Sequence, residues 1–257
     1  MVKIDVLLQG APIRTNVGIV GFCSSILIEG EKRILVDVGH AGRRTVLLEA
    51  LQARGLTPQD IDITVMSHAH WDHSQNFDLF THAPMLLHRL ERKYAHHPHI
   101  NDWATPAWTG AMIEHQPDIQ EVDDGYQIEP GVSVIHTPGH SPGSISVLVE
   151  TDDGVCALTG DVLHYSNVAL TRRNPLVFWN EKEATKSIDR IVETADLIYP
   201  GHDRTFRIVN GEIEYLAEMK MTISGLDRDD PGLEFENAPR PVWIMPGIED
   251  QTPESLG

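Results

Sequence analysis

The sequence predicts an α+β protein in which β-sheets pack face to face and helices cover their outer sides. The chain has 257 residues, of which 41% are hydrophobic and 23% charged, and this composition is typical of a globular protein with a sizeable core. Short apolar segments separated by turn residues come in antiparallel runs. Segments with the hydrophobic period of a helix lie between these runs. Together these observations predict the layered fold class.

The first part of the chain alternates strands with one helix. Residues 3–9 predict a strand, and residues 24–37 predict a hairpin with apolar residues on both sides of its turn. Residues 43–54 place their apolar side chains on one helical face, and Gly55 follows as a stop signal. Residues 62–67 then predict a short buried strand.

The second part of the chain repeats this alternation after an irregular stretch. Residues 81–116 show no strand pattern, so we predict a loop or helical region there. Strands are predicted at residues 132–137, 144–150, 155–159 and 197–199, and a helix at residues 180–195.

The charge of the chain excludes several kinds of partner. Lys and Arg number 20 against 38 Asp and Glu, so the formal net charge is -18. A surface this acidic repels phosphate backbones and anionic lipid headgroups. The apolar runs are also much shorter than the roughly 20 residues that a membrane helix requires. We therefore expect a small-molecule substrate rather than a nucleic acid or a membrane as the partner.

The two cysteines and the N-terminus suggest a compartment. Cys23 and Cys156 both lie in apolar, strand-like segments, which is typical of small core residues and not of a disulfide framework. Lys3 and Asp5 stand where a signal peptide would have its apolar run. We expect a cytoplasmic protein.

The C-terminal segment differs in composition from the rest. Residues 1–226 predict the main domain, whereas residues 227–257 contain eight acidic residues, two basic residues and five prolines. The apolar cluster Trp243-Ile244-Met245 would be unusual in a free tail. We therefore expect this tail to dock on the domain or on a partner subunit, as in a homodimer.

Histidine is concentrated in one short segment. Of the 14 histidines, His68, His70 and His73 occur with Asp72 directly after an apolar strand. Alternating side chains at a strand end converge on one point, and the next turn brings the last two side chains to a neighbouring point. Neutral imidazole and carboxylate bind borderline divalent metals. A solvated polar loop is the alternative interpretation, but four ligand-type residues in this spacing favour a metal site.

Three further segments each combine a strand, a glycine-bearing turn and one ligand-type residue. They end at His140, Asp161 and His202. With the four residues of the first segment they make seven candidate metal ligands, one more than two three-ligand sites require. The surplus carboxylate would bridge two metal ions, with a water or hydroxide bridging on the other side. We predict two divalent metal ions and expect Zn²⁺, with Fe, Mn and Co left open by this ligand set.

From about residue 20 to 210, these motifs resemble the metallo-β-lactamase superfamily. The resemblance implies an αββα sandwich of two mixed β-sheets with helices on the outer faces and metals at one sheet edge. It also implies that Asp37 is a buried support for the ligand loop. The implied first metal site is His68, His70 and His140, the second is Asp72, His73 and His202, and the bridge is Asp161.

Within the superfamily, the chain is most similar to the N-acyl homoserine lactonase branch, over residues 121–132 and 137–143. Ala69 stands where flavodiiron oxidoreductases have Glu, and Asp161 stands where several true β-lactamases have Cys or lack the residue. The short acidic segment after His202 differs from the long basic C-terminal domain of glyoxalase II enzymes. The net charge of -18 argues against the nuclease members.

The lactonase branch implies a tyrosine that touches the lactone carbonyl, three residues after the bridging Asp. Here the third residue is His164 and the fourth is Tyr165. We assign this hydroxyl role to Tyr165.

The predicted function is that of a binuclear metal-dependent hydrolase, in which a metal-bridging hydroxide opens a small neutral ester, namely a lactone such as an N-acyl homoserine lactone. Asp72 is expected both to bind metal and to protonate the leaving alkoxide. Trp71 and residues 19–22 are expected to hold an acyl chain. Two alternatives stay open: a thioester or phosphodiester hydrolase of the same fold, and a non-catalytic metal-binding protein.

A second histidine cluster has no clear function. His96, His97 and His99 could form a third metal site, but no strand precedes them to fix their positions. We favour a solvated loop.

Overall fold

The computed structural model describes residues 2–225, 232, 234–236 and 241–256, and two large β-sheets dominate this part of the chain. In chain order the strands are β1 (Lys3–Leu8), β2 (Arg14–Thr15), β3 (Gly18–Ile19), β4 (Ser25–Glu29), β5 (Arg33–Val36), β6 (Ile63–Val65), β7 (Met85–His88), β8 (Ile119–Val122), β9 (Gln127–Glu129), β10 (Val132–His136), β11 (Ile145–Thr151), β12 (Gly154–Leu158), β13 (Leu176–Val177), β14 (Leu197–Tyr199), β15 (Phe206–Val209), β16 (Glu212–Tyr215) and β17 (Trp243–Ile244).

Helices connect the strands. They are α1 (Arg44–Gln52), α2 (Trp71–Ser74), α3 (Arg89–His96), α4 (Thr109–Glu114), α5 (Asn167–Thr171) and α6 (Glu181–Thr194). Short 3₁₀ turns lie at Ala41–Arg43, Pro58–Asp60, Phe77–Phe80, Gly160–Leu163, Ile248–Asp250 and Pro253–Leu256. Within the described ranges, no helix has the length and apolar character needed to cross a membrane.

Both large sheets are mixed. The first has the order β1-β4-β5-β6-β7-β8, with parallel pairing from β5 to β8, and the second has the order β16-β15-β14-β12-β11-β10-β9, with parallel pairing between β12 and β14. Strand β10 is antiparallel to β11, which is antiparallel to β12, so β10 and β12 run in the same direction. The loops that follow β10, β12 and β14 therefore leave the second sheet at one edge. The loop that follows β6 in the first sheet meets them there, where the backbone N–H of Ile145 donates to the carbonyl of Ser67 at 2.9 Å.

Alternation along the strands divides the core into three apolar layers. In β4, Ile26 and Ile28 face the cluster between the two sheets, whereas Leu27 faces the cluster under α1. In β10, Val134 faces the cluster between the sheets and Ile135 faces the cluster under α6. The helices thus lie on both outer faces, which confirms the predicted αββα sandwich.

One predicted region needs correction. Residues 81–116 contain not only helices α3 and α4 but also β7 (Met85–His88), a fully buried strand. A four-residue apolar run has too little periodicity to distinguish a strand from a helix. The strand forms because β6 and β8 pair with it in parallel on its two sides.

The described part of the C-terminal segment lies against the rest of the molecule. Strand β17 pairs in parallel with β13, and the backbone N–H of Met245 donates to the carbonyl of Val177 at 2.9 Å. Leu256 is buried against Tyr94 and Trp179. The proposed boundary at residue 226 and much of the predicted tail (226–231, 233, 237–240 and 257) lie outside the described residues, so the boundary stays a prediction.

Candidate metal centre

The loops at one edge of the sandwich bring seven buried ligand-type side chains together. His68 and His70 follow β6, Asp72 and His73 lie in α2, His140 follows β10, Asp161 lies in the 3₁₀ turn after β12, and His202 follows β14. In the second sheet, β10, β12 and β14 run in the same direction, so the loops after them leave at the same edge. This placement makes contact between distant parts of the sequence possible.

Four of these side chains form the first group. The ligand atoms of His68, His70, His140 and Asp161 all lie within 4.8 Å of one another. Nε2 of His140 is 3.0 Å from Nδ1 of His70, and the rings of His68 and His140 meet edge-on with their centroids 4.8 Å apart. Three imidazoles and a carboxylate around one point are a suitable ligand set for a divalent metal.

The other three side chains form the second group. Asp72, His73 and His202 likewise place their ligand atoms within 4.8 Å of one another. Nε2 of His202 is 3.3 Å from Oδ2 of Asp72 and 3.3 Å from Nε2 of His73.

Asp161 lies between the two groups. Its Oδ2 is 3.5 Å from Nε2 of His140, in the first group. Its Oδ1 is 3.3 Å from Nε2 of His73 and 3.2 Å from Nε2 of His202, in the second group. One carboxylate oxygen thus faces each group, which is the arrangement that a bridging carboxylate requires.

The chemistry of these side chains fits two divalent metal ions. Nε2 of His68, Nε2 of His70 and Oδ1 of Asp161 are buried without a hydrogen-bond partner in the described structure. Buried polar atoms are rarely left without partners, since each costs free energy. Burial holds the pKa values of His68 and His70 well below their usual range, so both imidazoles keep the lone pair that a metal binds.

A buried carboxylate supports the loop that carries the first ligands. Asp37 follows β5 with a positive φ of 55°. Its Oδ1 accepts a hydrogen bond from the backbone N–H of Ser67 at 2.8 Å, and its Oδ2 lies 2.8 Å from Nδ1 of His73. The support implied for Asp37 is thus matched by its contacts.

A second buried carboxylate, which the sequence analysis missed, joins two ligand loops. Glu91 in α3 accepts hydrogen bonds from the backbone N–H groups of Ala69 (2.7 Å) and Gly143 (2.9 Å) and from the hydroxyl of Ser141 (2.7 Å). Burial raises its pKa to about 7 despite these three donors. The loops of His70 and His140 are therefore held together without a metal ion. No sequence signal marks Glu91, because it stands among charged residues in an ordinary helical pattern.

A third set of contacts orients His140 and Asp161 from the opposite side. Nδ1 of His140 lies 2.7 Å from the carbonyl oxygen of Leu176, in β13, and donates to it, so that Nε2 faces the site. The side-chain amide of Asn174 donates to the carbonyl of Asp161 at 2.7 Å and accepts from the N–H of Leu176 at 3.0 Å. Strand β13 is thus tied to both metal groups.

A cavity of about 360 Å³ opens beside the two groups. His70, Asp72, Asp161 and His202 reach it from the metal groups, and the walls include Ile13, Ile19, Gly21, Trp71, Trp103, Leu176, Phe178, Pro241 and Trp243. The predicted apolar wall is therefore present at Trp71, Ile19 and Gly21. Phe22 is not among the lining residues and instead stacks on His40, with ring centroids 6.2 Å apart.

The structure places the Tyr165 side chain away from the cavity, and the role assigned to it stays a prediction. Its side chain packs into the apolar cluster under α6 and does not line the cavity. His164 lines the cavity instead, with Nδ1 2.9 Å from Oδ2 of Asp161 and its ring stacked on His202 at 4.2 Å. The backbone is helical at His164, so adjacent side chains point in different directions, and His164 is the one that faces the cavity.

The second histidine cluster does not converge. His96 ends α3 with Nε2 3.1 Å from Oε1 of Glu114, and Nδ1 of His99 accepts from the N–H of Asn101. Within the described ranges, His96, His97 and His99 do not belong to any group with metal-ligand spacing.

Comparison with known proteins agrees with this geometry. The profile of the metallo-beta-lactamase superfamily matches residues 18–202. An N-acyl homoserine lactonase from Bacillus sp. is 28% identical over 194 residues, covering 71% of this chain and 70% of the relative. Metallo-beta-lactamase domain-containing protein 1 from Xenopus laevis is 30% identical over 190 residues, covering 72% of each chain.

Solved structures show the same fold. A variant of AiiA from Bacillus thuringiensis, with N-decanoyl-L-homoserine bound at its active site, has a TM-score of 0.59 at 26% identity and covers 70% of this chain and 80% of its own. A probable metal-dependent hydrolase from Staphylococcus aureus has a TM-score of 0.71 at 16% identity and covers 86% of this chain and 98% of its own.

Proposed function

This chain belongs to the metallo-β-lactamase superfamily, and on that basis we propose that it is a binuclear metal-dependent hydrolase that opens a lactone with an apolar side chain. The observation that carries the proposal is the position of Asp161. Its two oxygens face two separate ligand groups, and it lies at the floor of a cavity with apolar walls. The lactonase relatives support the choice of a lactone as the substrate.

The proposed ligands are those of the two groups. His68, His70 and His140 would hold one metal ion, Asp72, His73 and His202 the other, and Asp161 both. Bound divalent ions supply a water of lowered pKa and stabilise the negative charge that develops on an attacked carbonyl. The protein residues supply the orientation, the proton transfers and the exclusion of bulk water.

Asp72 is the proposed proton carrier. Its carboxylate lines the cavity beside His202, so it can reach a substrate there. When water adds to the carbonyl carbon, an Asp72 oxygen takes up the released proton. As the ring C–O bond breaks, the same oxygen delivers the proton to the leaving alkoxide. The product is a hydroxy acid, and Asp72 is again ionised.

His164, rather than Tyr165, is the proposed positioning residue beside the substrate carbonyl. It lines the cavity, and its Nδ1 lies 2.9 Å from Oδ2 of Asp161 and donates to it. This contact would hold the Asp161 carboxylate in place where the carbonyl is attacked.

The cavity walls and the charge of the protein favour a neutral, apolar substrate. Aromatic side chains make up much of the wall, and Arg14 is the one Lys or Arg among the described lining residues. The net charge of -18 disfavours approach of a polyanion. A lactone carries no charge before it opens, so it meets both conditions.

The test is a hydrolysis panel with the metal-loaded protein. Acyl homoserine lactones of several chain lengths, thioesters, phosphodiesters and β-lactams are assayed in a pH-stat, with His68→Ala as the blank. Circular dichroism of the blank establishes that it is folded. We expect the lactones to be opened well above the blank. If the protein opens no lactone but cleaves a thioester or a phosphodiester, the lactonase proposal is wrong while the metal-hydrolase proposal stands.

A further inference from the structure

The segment that ends the described chain forms part of the cavity. Pro241 and Trp243 line it, although they lie well beyond residues 18–202, which match the superfamily profile. The superfamily match therefore accounts for the metal groups but not for this wall.

Trp243 belongs to an aromatic cluster with Phe178 and Trp103. Its ring centroid is 5.0 Å from that of Phe178 and 5.9 Å from that of Trp103. The Phe178 ring in turn lies 4.6 Å from His70, in the first metal group. A substrate whose reacting carbonyl lies at the metal groups would therefore reach Trp103 and Trp243 with its far end.

Contacts on several sides fix the position of Trp243. The backbone N–H of Trp243 donates to the carbonyl of Pro175 at 2.8 Å, just before β13. Met245 is buried in an apolar cluster with Phe178. The side-chain amide of Gln251 donates to the carbonyl of Phe178 at 2.8 Å. The wall is thus held by specific contacts.

Alternation along β17 separates its two side chains. Trp243 lines the cavity and shares a face with the buried Met245, whereas Ile244 points the other way and is 38% exposed. Ile244 lies in the same strand and pairs with Val177 of β13, next to the pair of Trp243 with Leu176. It is therefore a matched control for any effect of Trp243 on the cavity.

We propose that β17 is a specificity-determining element in which Trp243 binds the apolar chain of the substrate at the end far from the scissile bond. This inference rests on the proposed function and names the part of the substrate that this wall selects. An aromatic wall removes chain methylenes from water, and each methylene so buried strengthens binding by up to about fourfold. Affinity should therefore rise with chain length until the chain has passed Trp243.

The experiment measures binding separately from turnover. Isothermal titration calorimetry of the metal-loaded full chain is performed with N-butanoyl-, N-hexanoyl-, N-octanoyl- and N-decanoyl-homoserine, the ring-opened acids. The proteins compared are wild type, Trp243→Ala, Trp243→Phe and Ile244→Ala. Metal content and melting temperature are measured for each, and hydrolysis of the corresponding lactones is assayed in parallel.

For wild type and Ile244→Ala we expect affinity to rise with chain length. For Trp243→Ala we expect similar affinity for the butanoyl compound and a gain from butanoyl to decanoyl that is at least tenfold smaller. For Trp243→Phe the gain in affinity from butanoyl to decanoyl should lie between those of wild type and Trp243→Ala. This variant replaces Trp243→Ala in the comparison if the alanine variant does not fold. The inference would be overturned if both Trp243 variants kept the wild-type dependence of affinity on chain length. It would also be overturned if Ile244→Ala lost as much of this dependence as Trp243→Ala, or if the affinity of wild type did not change with chain length.

The two proposals fail separately. If no lactone is hydrolysed but the chain-length dependence of binding still requires Trp243, the lactonase proposal is wrong, whereas the proposal that Trp243 binds the apolar chain stands. If lactones are hydrolysed and the Trp243 variants show wild-type dependence, the lactonase proposal stands and the wall does not select the chain.

Discussion

Oδ2 of Asp37 lies 2.8 Å from Nδ1 of His73, deep beneath the second metal group. The carboxylate accepts from the imidazole, so Nδ1 of His73 carries a proton and Nε2 faces Asp161 and His202, where it could bind a metal ion. The same carboxylate accepts from the backbone N–H of Ser67, next to His68. One side chain thereby sets the orientation of ligands in both groups.

Asp37→Asn is expected to weaken metal binding without unfolding the protein. Asn tolerates the positive φ of 55° at this position, and its amide keeps one acceptor but loses the charge that orients His73. Metal affinity should fall by about 10- to 100-fold, measured by competition with a chelator of known affinity. Asp118→Asn, at an exposed position, is the control. Equal affinity in wild type and Asp37→Asn would show that the contact does not orient the ligand.

Removal of metal is expected to lower the melting temperature without abolishing the fold. The metal groups leave buried nitrogen and oxygen atoms without partners, whereas Glu91 and Asn174 hold the loops through protein contacts. Metal at 1,000 times its dissociation constant would stabilise the native state by about 4 kcal/mol. Elemental analysis should find about two equivalents in active protein, and Asp161→Asn should retain less. Active protein with only trace metal would exclude a metal-dependent reaction.

Asp72→Asn is expected to reduce kcat far more than stability. The amide can still fill the space beside His202, but it cannot take up and deliver a proton. Loss of a positioned acid–base group lowers the rate by about 10²- to 10⁴-fold. Kinetics on the best substrate, metal content and the urea midpoint are compared with Asp78→Asn, an exposed control. Wild-type turnover with normal metal content would exclude the proton-carrier role.

His164→Phe and Tyr165→Phe distinguish the two residues assigned a role beside the substrate carbonyl. His164 lines the cavity, whereas Tyr165 packs under α6. The His164 substitution should lower kcat/KM by about 10- to 100-fold, because it removes the imidazole that holds the Asp161 carboxylate. The Tyr165 substitution keeps the ring and should change kcat/KM little. The opposite order of effects would restore the original assignment to Tyr165. Metal content is measured in both variants, since His164 also contacts Asp161.

His88 is expected to make the metal-free protein less stable as the pH falls. Burial and the stacked ring of His136, 3.9 Å away, lower the pKa of His88 to about 4, although Asp123 opposes this shift. Because the folded-state pKa is depressed, the stabilisation is fully present above about pH 6.5 and is lost as the pH falls toward 4.

The variant His88→Asn does not titrate, and Asn can still accept from the N–H of Leu90, as Nδ1 of His88 does. Urea unfolding from pH 8 to pH 4, with chelator present, should show a smaller loss of stability in this variant than in wild type. The same substitution at the exposed His115 is the control. Identical curves for wild type and His88→Asn would contradict the prediction.

The candidate ligands could be recognised from the sequence because each one is a local signal. A strand end, a glycine-bearing turn and a His or Asp within a few residues describe His140, Asp161 and His202 without knowledge of their partners. Strand direction then brings these ends to one edge. Where the choice lay between two neighbouring residues, His164 and Tyr165, the sequence favoured Tyr165, whereas His164 is the residue that lines the cavity.

Two supporting residues, Glu91 and Asn174, could not be recognised, because their function depends on distant contacts. Glu91 has the pattern of a surface helix residue, yet it accepts from two loops, at Ala69 and Ser141. Asn174 stands in an unremarkable loop and ties Asp161 to β13. These two side chains have their roles because they are buried, and they become buried only when the layers of the fold pack together.

The parallel pairing of β13 with β17 also determines the order in which the site can be completed during synthesis. The candidate metal-binding loops precede Trp243 in the chain, so the metal centre can form while the edge of β13 still lacks this neighbour. A nascent chain at that stage would present the open edge of β13 to other chains. When β17 is synthesised it pairs with that edge, so the step that completes the cavity wall also removes an unpaired strand edge.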